Sequence, residues 1–165
     1  MLWAILGALG PAIRSGLVKV WALDPKGGME LVWGRRLFAR FYYGGDDTVR
    51  WEVDFADALD ELVAILKARQ AKLRGWTRLL KPSTEDPLLV IVIDELVSLT
   101  GYVTDGETKK RIAASLSLLL SQGRAVGITV VGAVSDPGKD VLPIRDLFPT
   151  RLCLRVTDGR IRNRG

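Results

Sequence analysis

Six consecutive aliphatic residues, Leu88 to Ile93, are followed at once by Asp94 and Glu95. Alternate side chains of a strand point to opposite faces of its sheet. A run with no polar position therefore reads as a strand buried on both faces. Strands of that kind belong to parallel sheets covered by helices on each side. The rest of the chain supplies candidates for those helices. Leu2, Ile5, Leu6, Leu9 and Ile13 recur at helical spacing, with Pro11 expected to interrupt them and Gly16 standing where a helix could stop. Asp54 is placed to cap a second helix with an apolar stripe of Phe55, Leu59, Leu62, Val63 and Leu66. Its basic residues Lys67, Arg69 and Lys72 come late, matching the helix dipole. Thr104-Asp105-Gly106-Glu107 carries a capping-box pattern, and a third helix is predicted from there to about Gln122.

Three further segments read as strands. Leu17 to Leu23 is rich in branched and aromatic residues and runs into the turn Asp24-Pro25-Lys26-Gly27-Gly28. Ile128 to Val134 is a second buried strand, and Arg151 to Val156 alternates more and reads as a last one. Gly123 and Gly127 are expected to permit a tight passage from helix to strand. Residues 29–53 show no clear periodicity beyond a turn at Gly44-Gly45-Asp46-Asp47 between two short extended pieces. The expectation is an α/β domain with a mostly parallel sheet, and 165 residues suit one such core.

Composition excludes several chemistries. Histidine is absent and Cys153 is the single cysteine. The chain can therefore assemble no Ser-His-Asp or Cys-His triad, no zinc site built on Cys or His, and no disulfide framework. Carboxylates, Lys, Arg, hydroxyls, backbone groups or a hard cation such as Mg²⁺ remain. The net charge of +5 is unevenly placed. Arg151, Arg155, Arg160, Arg162 and Arg164 against Asp158 give residues 151–165 a charge of +4, leaving +1 for residues 1–150. Neither Met1 to Ile13 nor the glycine-studded run Ala125 to Ser135 approaches the roughly 20 apolar residues that a membrane-spanning helix needs.

Asp94 and Glu95 are the sharpest candidates for chemistry. In an open parallel sheet, ligands bind beyond the carboxyl ends of the strands, where these two acids stand. An aspartate there can hold Mg²⁺ through water, and the neighbouring acid can activate an attacking water, as in the Walker B pattern of nucleotide-hydrolysing ATPases. The same pair reads equally as a cap on the next helix. A Walker B site needs a phosphate-cradling loop, G-x-x-x-x-G-K-[ST], and none is present in the sequence. Gly132 to Asp140 is a near miss, with one residue too many between its glycines and Asp140 where a hydroxyl is needed.

Four blocks in order carry a family resemblance: L-D-P-K-G-G-M-E-L from Leu23, D-E-L from Asp94, S-L-L-L-S-Q-G-R-A-V-G-I-T-V-V-G-A-V-S-D-P ending at Pro137, and F-P-T-R-L-C-L-R-V from Phe148. Together they resemble the motor domain of FtsK/SpoIIIE-type DNA translocases, particularly the actinobacterial plasmid-transfer kind. The resemblance is weakest over residues 32–80. It implies a RecA-like, P-loop NTPase type three-layer sandwich truncated at its N-terminus. The phosphate-binding loop would lie just before Met1, making residues 1–156 a partial motor domain and residues 157–165 a basic, unaligned tail. It also implies ATP and Mg²⁺ as cofactors, non-specific double-stranded DNA as partner, and a homo-oligomeric, hexameric ring in the full-length protein. The implied location is cytoplasmic, with room for a membrane anchor in a longer parent.

Position by position, the resemblance assigns Asp94 to Mg²⁺ and Glu95 to water activation. It gives Arg124 a catalytic role on a neighbouring subunit's nucleotide, although Arg124 reads as readily as a helix-end arginine satisfying carbonyls. Ser135 stands where the family usually has a Gln that senses the terminal phosphate, and its shorter side chain reaches less far. Asp24 and Lys26 match the family's D-P-K turn, as folding turn or as site. Without the loop, the isolated chain is expected to bind ATP poorly. Two other expectations stand beside this one: a related secretion or packaging ATPase, and a non-catalytic α/β interaction module.

Overall fold

The computed structural model describes residues 1–44, 50–135, 138 and 142–154. Four parallel strands form one sheet in the order β2-β1-β3-β4, with β1 Val18–Asp24, β2 Phe38–Tyr43, β3 Leu88–Ile93 and β4 Ile128–Gly132. Among the described residues four α-helices accompany it: α1 Leu2–Arg14, α2 Trp51–Leu73, α3 Leu96–Thr100 and α4 Gly106–Gln122.

Strand alternation divides the interior into two cores. Trp21 and Leu23 of β1, Leu89, Ile91 and Ile93 of β3 and Ile128 of β4 face α2, α3 and α4. Val18, Val20 and Ala22 with Val90 and Val92 point the other way, onto Leu2 and Leu6 of α1. The aliphatic run from Leu88 thus fills both sides of a central strand, which gives the three-layer arrangement expected for it.

Local differences from the sequence reading have identifiable causes. Pro11 lies inside α1 rather than ending it. Its missing N–H leaves the carbonyl one turn back, on Gly7, without a helical partner, and Gly7 is exposed to water. Helix α2 begins at Trp51, three residues before Asp54, because the Trp51 indole packs edge-on against Phe55 at 5.4 Å and joins the core there. At α4 the cap falls on Asp105, whose carboxylate accepts from the Thr108 N–H at 2.7 Å, while Thr104 donates its own N–H to Glu52.

Two strand expectations have different outcomes. Residues 38–43, the extended piece expected before the Gly44 turn, form edge strand β2. Residues 151–154 belong to no strand, and Leu152 and Leu154 are exposed. Residues 155 and 156, most of the Gly44–Asp47 turn, and the basic tail 157–165 lie outside the described residues.

Candidate functional site at the carboxyl ends of β1 and β3

Strands β1 and β3 are in register from Val18↔Leu88 to Leu23↔Ile93, so both end at the same level. The Asp94 N–H donates to the Leu23 carbonyl at 3.1 Å, which sets Asp94 beside Asp24. Asp24 is fully buried and serves the turn. Its Oδ1 accepts from the Lys26 N–H at 3.0 Å, and its Oδ2 accepts from the N–H groups of Glu30 at 3.2 Å and Leu31 at 3.0 Å. Gly27 and Gly28 follow with φ of +76° and +77°, a left-handed pair that side chains strongly disfavour and that folds the chain back on itself. The D-P-K-G-G sequence therefore builds a braced loop with Lys26 at its tip.

That loop delivers Lys26 to the two acids. Its Nζ lies 3.7 Å from Asp94 Oδ2 and 3.4 Å from Glu95 Oε2. Both acid side chains are close to nine-tenths buried, whereas the lysine side chain is half exposed. Burial pushes the Asp94 carboxyl above its ordinary range, and Lys26 pulls it back only in part. Burial alone would lower the Lys26 ammonium, but Asp94 and Glu95 outweigh it, so the net shift is upward. Asp94 Oδ2 is buried without a hydrogen-bond donor. An acceptor left that way is costly unless a cation or another donor fills the gap.

Ser135 approaches from β4. Its backbone N–H donates to Glu95 Oε1 at 3.4 Å, and its side chain is exposed. The loop leaving β4 is pinned beside α3 by the Leu96 N–H donating to the Ala133 carbonyl at 2.9 Å. Glu95 occupies the N-cap position of α3, yet its carboxylate makes no capping hydrogen bond. Asp94, Glu95 and Ser135 are thus gathered at one spot, together with Lys26.

Arg124 is not among them. It sits in the 3₁₀ turn Gly123–Val126 that leads into β4, and β4 runs parallel to β3 with Leu89↔Ile128 and Ile93↔Gly132 in register. Roughly 16 Å of strand therefore separates its end of the sheet from Asp94. The Arg124 side chain is exposed and makes no hydrogen bond or ion pair among the described residues.

The arginine that does satisfy carbonyls beside this turn is Arg69. Arg69 reaches from α2 with its Nη1 donating to the carbonyls of Val126 at 2.8 Å and Gly127 at 3.4 Å, and its Nη2 to that of Pro87 at 2.7 Å. In sequence it was one cation among several in the last turns of a helix, with nothing to mark it as buried. Gly127, at φ +71°, turns the chain into β4 where an added Cβ would meet Leu80 Cδ2 at 2.5 Å. The expected tight passage is real.

Two carboxylates can hold a hard cation only in part. Among the described residues no group of three or more acidic, Cys or His side chains gathers to form a complete cage. The donor set, with its orphaned Asp94 Oδ2, suits Mg²⁺ that keeps waters and takes its remaining ligands from phosphates.

No protein-family model matches the sequence, and no curated protein does so either. The fold, a parallel sheet between helical layers, is nonetheless shared with solved structures of a conjugation coupling protein and of secretion ATPases. The pCW3 conjugation coupling protein TcpA, solved in its monomer form with ATPγS, matches with a TM-score of 0.74 at 23% identity over 98% of this chain. The cytoplasmic domain of the type VII secretion ATPase EccC from Thermomonospora curvata matches with 0.54 at 21% identity over 80%. ATPases 2 and 3 of EssC from Geobacillus thermodenitrificans match with 0.52 at 12% identity over 81%. The chain spans 45% of the coupling protein and 16% and 25% of the two secretion proteins.

Proposed function

We propose that this chain is part of an ATP-driven motor that moves double-stranded DNA, and that it contributes the carboxylate half of the nucleotide site. The observation that carries this reading is the adjacent pair Asp94 and Glu95 at the carboxyl end of a central parallel strand, in a fold shared with a conjugation coupling protein. Asp94 holds Mg²⁺ through water, a role suited to a buried carboxylate with one oxygen unfilled. Glu95 takes a proton from the attacking water, and its anchoring by the Ser135 N–H keeps the carboxylate aimed. When bound, Mg²⁺ would offset charge on the phosphates.

The phosphate contacts come, on this reading, from a loop outside these 165 residues. The sequence contains no G-x-x-x-x-G-K-[ST], and the coupling protein it resembles is more than twice as long. Ring assembly gives Arg124 its place. At the far end of its own sheet it acts on a neighbouring subunit's nucleotide, where an arginine stabilises charge developing on the phosphate. DNA is held by its phosphates without base reading, the five arginines of residues 151–165 adding to that contact. The working location is the cytoplasm. Among the described residues no helix is long and apolar enough to cross a membrane.

The likeness to secretion ATPases favours a second reading, a motor that moves protein. One experiment separates the two. The reading frame upstream of Met1 is extended until it encodes a phosphate-binding loop, and the longer protein is assayed for ATP hydrolysis with and without duplex DNA. A DNA motor is stimulated by duplexes of any sequence, and the stimulation fades steeply with salt. Hydrolysis indifferent to DNA selects the secretion reading. An upstream frame with no such loop leaves the chain a non-catalytic module.

A further inference from the structure

We propose that Lys26 is a resident stand-in cation: in the nucleotide-free chain its ammonium fills the place between Asp94 and Glu95 that a divalent metal takes, and it must swing away before the metal can bind. The inference rests on the reading that Asp94 holds Mg²⁺ beside Glu95, and it names the residue that controls access to that place. Lys26 Nζ reaches both carboxylates at once, at 3.7 Å and 3.4 Å. Neither distance closes the site, since Asp94 Oδ2 still lacks a hydrogen-bond donor. The ammonium is therefore placed by charge more than by fitted hydrogen bonds. A small hard cation would satisfy that oxygen better.

The loop is built for such an exchange. Asp24 clamps the backbone of Lys26, Glu30 and Leu31, so the base of the turn stays fixed. The Lys26 side chain beyond it is half exposed on a flexible four-carbon stem, free to leave without unfolding anything. Two buried acids side by side, with no cation, would repel each other while lacking the hydration that water would give them. Lys26 relieves that repulsion while the site waits. Once displaced, its ammonium is set free beside the same site, where the phosphates that accompany the metal supply new partners. The ligand class is thus a divalent cation together with a polyphosphate, and the metal alone binds against competition from the lysine.

Mn²⁺ titration of the full chain without nucleotide, read by loss of the free-ion EPR signal, tests this with Lys26→Gln and Lys26→Arg. Lys26→Gln is expected to bind Mn²⁺ about tenfold more tightly than wild type, as removal of one competing charge a few ångströms away would give. Lys26→Arg, which keeps the charge, should bind no more tightly than wild type. Adding Asp94→Asn to Lys26→Gln should abolish the gain. Should Lys26→Gln fail to fold, reductive methylation of the wild-type chain supplies the second measurement. Mn²⁺ should raise labelling of Lys26 relative to exposed Lys19. Equal affinity of Lys26→Gln and wild type, or Lys26 labelling unmoved by bound Mn²⁺, overturns the stand-in role while leaving the metal site in place. Absence of Mn²⁺ binding in every variant overturns the role and the metal reading together.

Discussion

The sheet carries a buried charged cluster at each end, and the two are built in opposite ways. Where β3 and β4 begin, the Arg69 guanidinium is buried and donates to three backbone carbonyls, those of Val126, Gly127 and Pro87. Where β1 and β3 finish, Asp94 and Glu95 are buried to a similar degree but share one half-exposed lysine, and one oxygen has no donor. Burial of charge is common to both ends; what differs is unspent hydrogen-bonding capacity. A saturated cluster stitches elements together, whereas an unsaturated one at the mouth of a parallel sheet is placed to receive a ligand.

Removing Arg69 should break the comparison most strongly. Arg69→Met leaves three carbonyls without their donor and is expected to cost about 3 kcal/mol of stability, within the range for losing a buried charged partner. Chemical denaturation would show it as a lower midpoint with unchanged slope, and Mn²⁺ affinity of the folded fraction should stay at the wild-type value. Loss of metal affinity along with stability would mean that the two ends are not independent.

A pH scan sharpens the contrast. The Lys26 ammonium is held above its ordinary value of 10.5 by Asp94 and Glu95. Its contribution to stability is fully present below 10.5 and is lost as pH rises through the raised folded value. Lys26→Gln should therefore lose less stability than wild type on going from neutral to strongly alkaline solution. Arg69→Met should keep the Lys26-dependent part of the wild-type alkaline loss, because it leaves Lys26 and its two acids in place. Parallel curves for wild type and Lys26→Gln would deny the ion pairs any role in solution.

Arg124 should give the smallest effect on the fold. Arg124→Ala removes an exposed side chain with no hydrogen bond or ion pair among the described residues, so its stability should stay within about 0.5 kcal/mol of wild type. Its influence should surface only between subunits. Mixing Arg124→Ala with Glu95→Gln subunits of the longer protein should restore some hydrolysis, because mixed interfaces can pair an intact Arg124 with an intact Glu95. Mixed rings without rescue would return Arg124 to a bystander at the helix end.

The division between the two ends also explains what the sequence could and could not disclose. Strand β3 and helix α4 were legible because an unbroken aliphatic run and a 3.6-residue stripe are patterns that burial imposes on neighbouring residues. Asp94 and Glu95 were legible as candidates for the same reason, standing directly after such a strand. Strand β2 was legible only as a short extended piece before the Gly44 turn, without bounds, since Phe38–Tyr43 is an edge strand with three exposed positions and an aromatic rather than alternating composition. From the sequence Lys26 reads as turn or as site alike, because its reach to Asp94 depends on β1 lying beside β3 in register, a long-range fact. Arg69 was hidden entirely. Its partners lie 18 to 58 residues away in the chain, and a helix-end arginine in solvent reads the same.

The central claim is that Asp94 and Glu95 divide the work of a nucleotide site between metal binding and water activation. The most direct measurement compares ATP binding and hydrolysis for Glu95→Gln and Asp94→Ala in the longer protein that carries the phosphate-binding loop. Glu95→Gln should bind ATP with Mg²⁺ as wild type does and hydrolyse it about a hundredfold more slowly, as loss of a general base predicts. Asp94→Ala should lose Mg²⁺-dependent binding as well. Hydrolysis at the wild-type rate by Glu95→Gln, with nucleotide bound, would contradict the account.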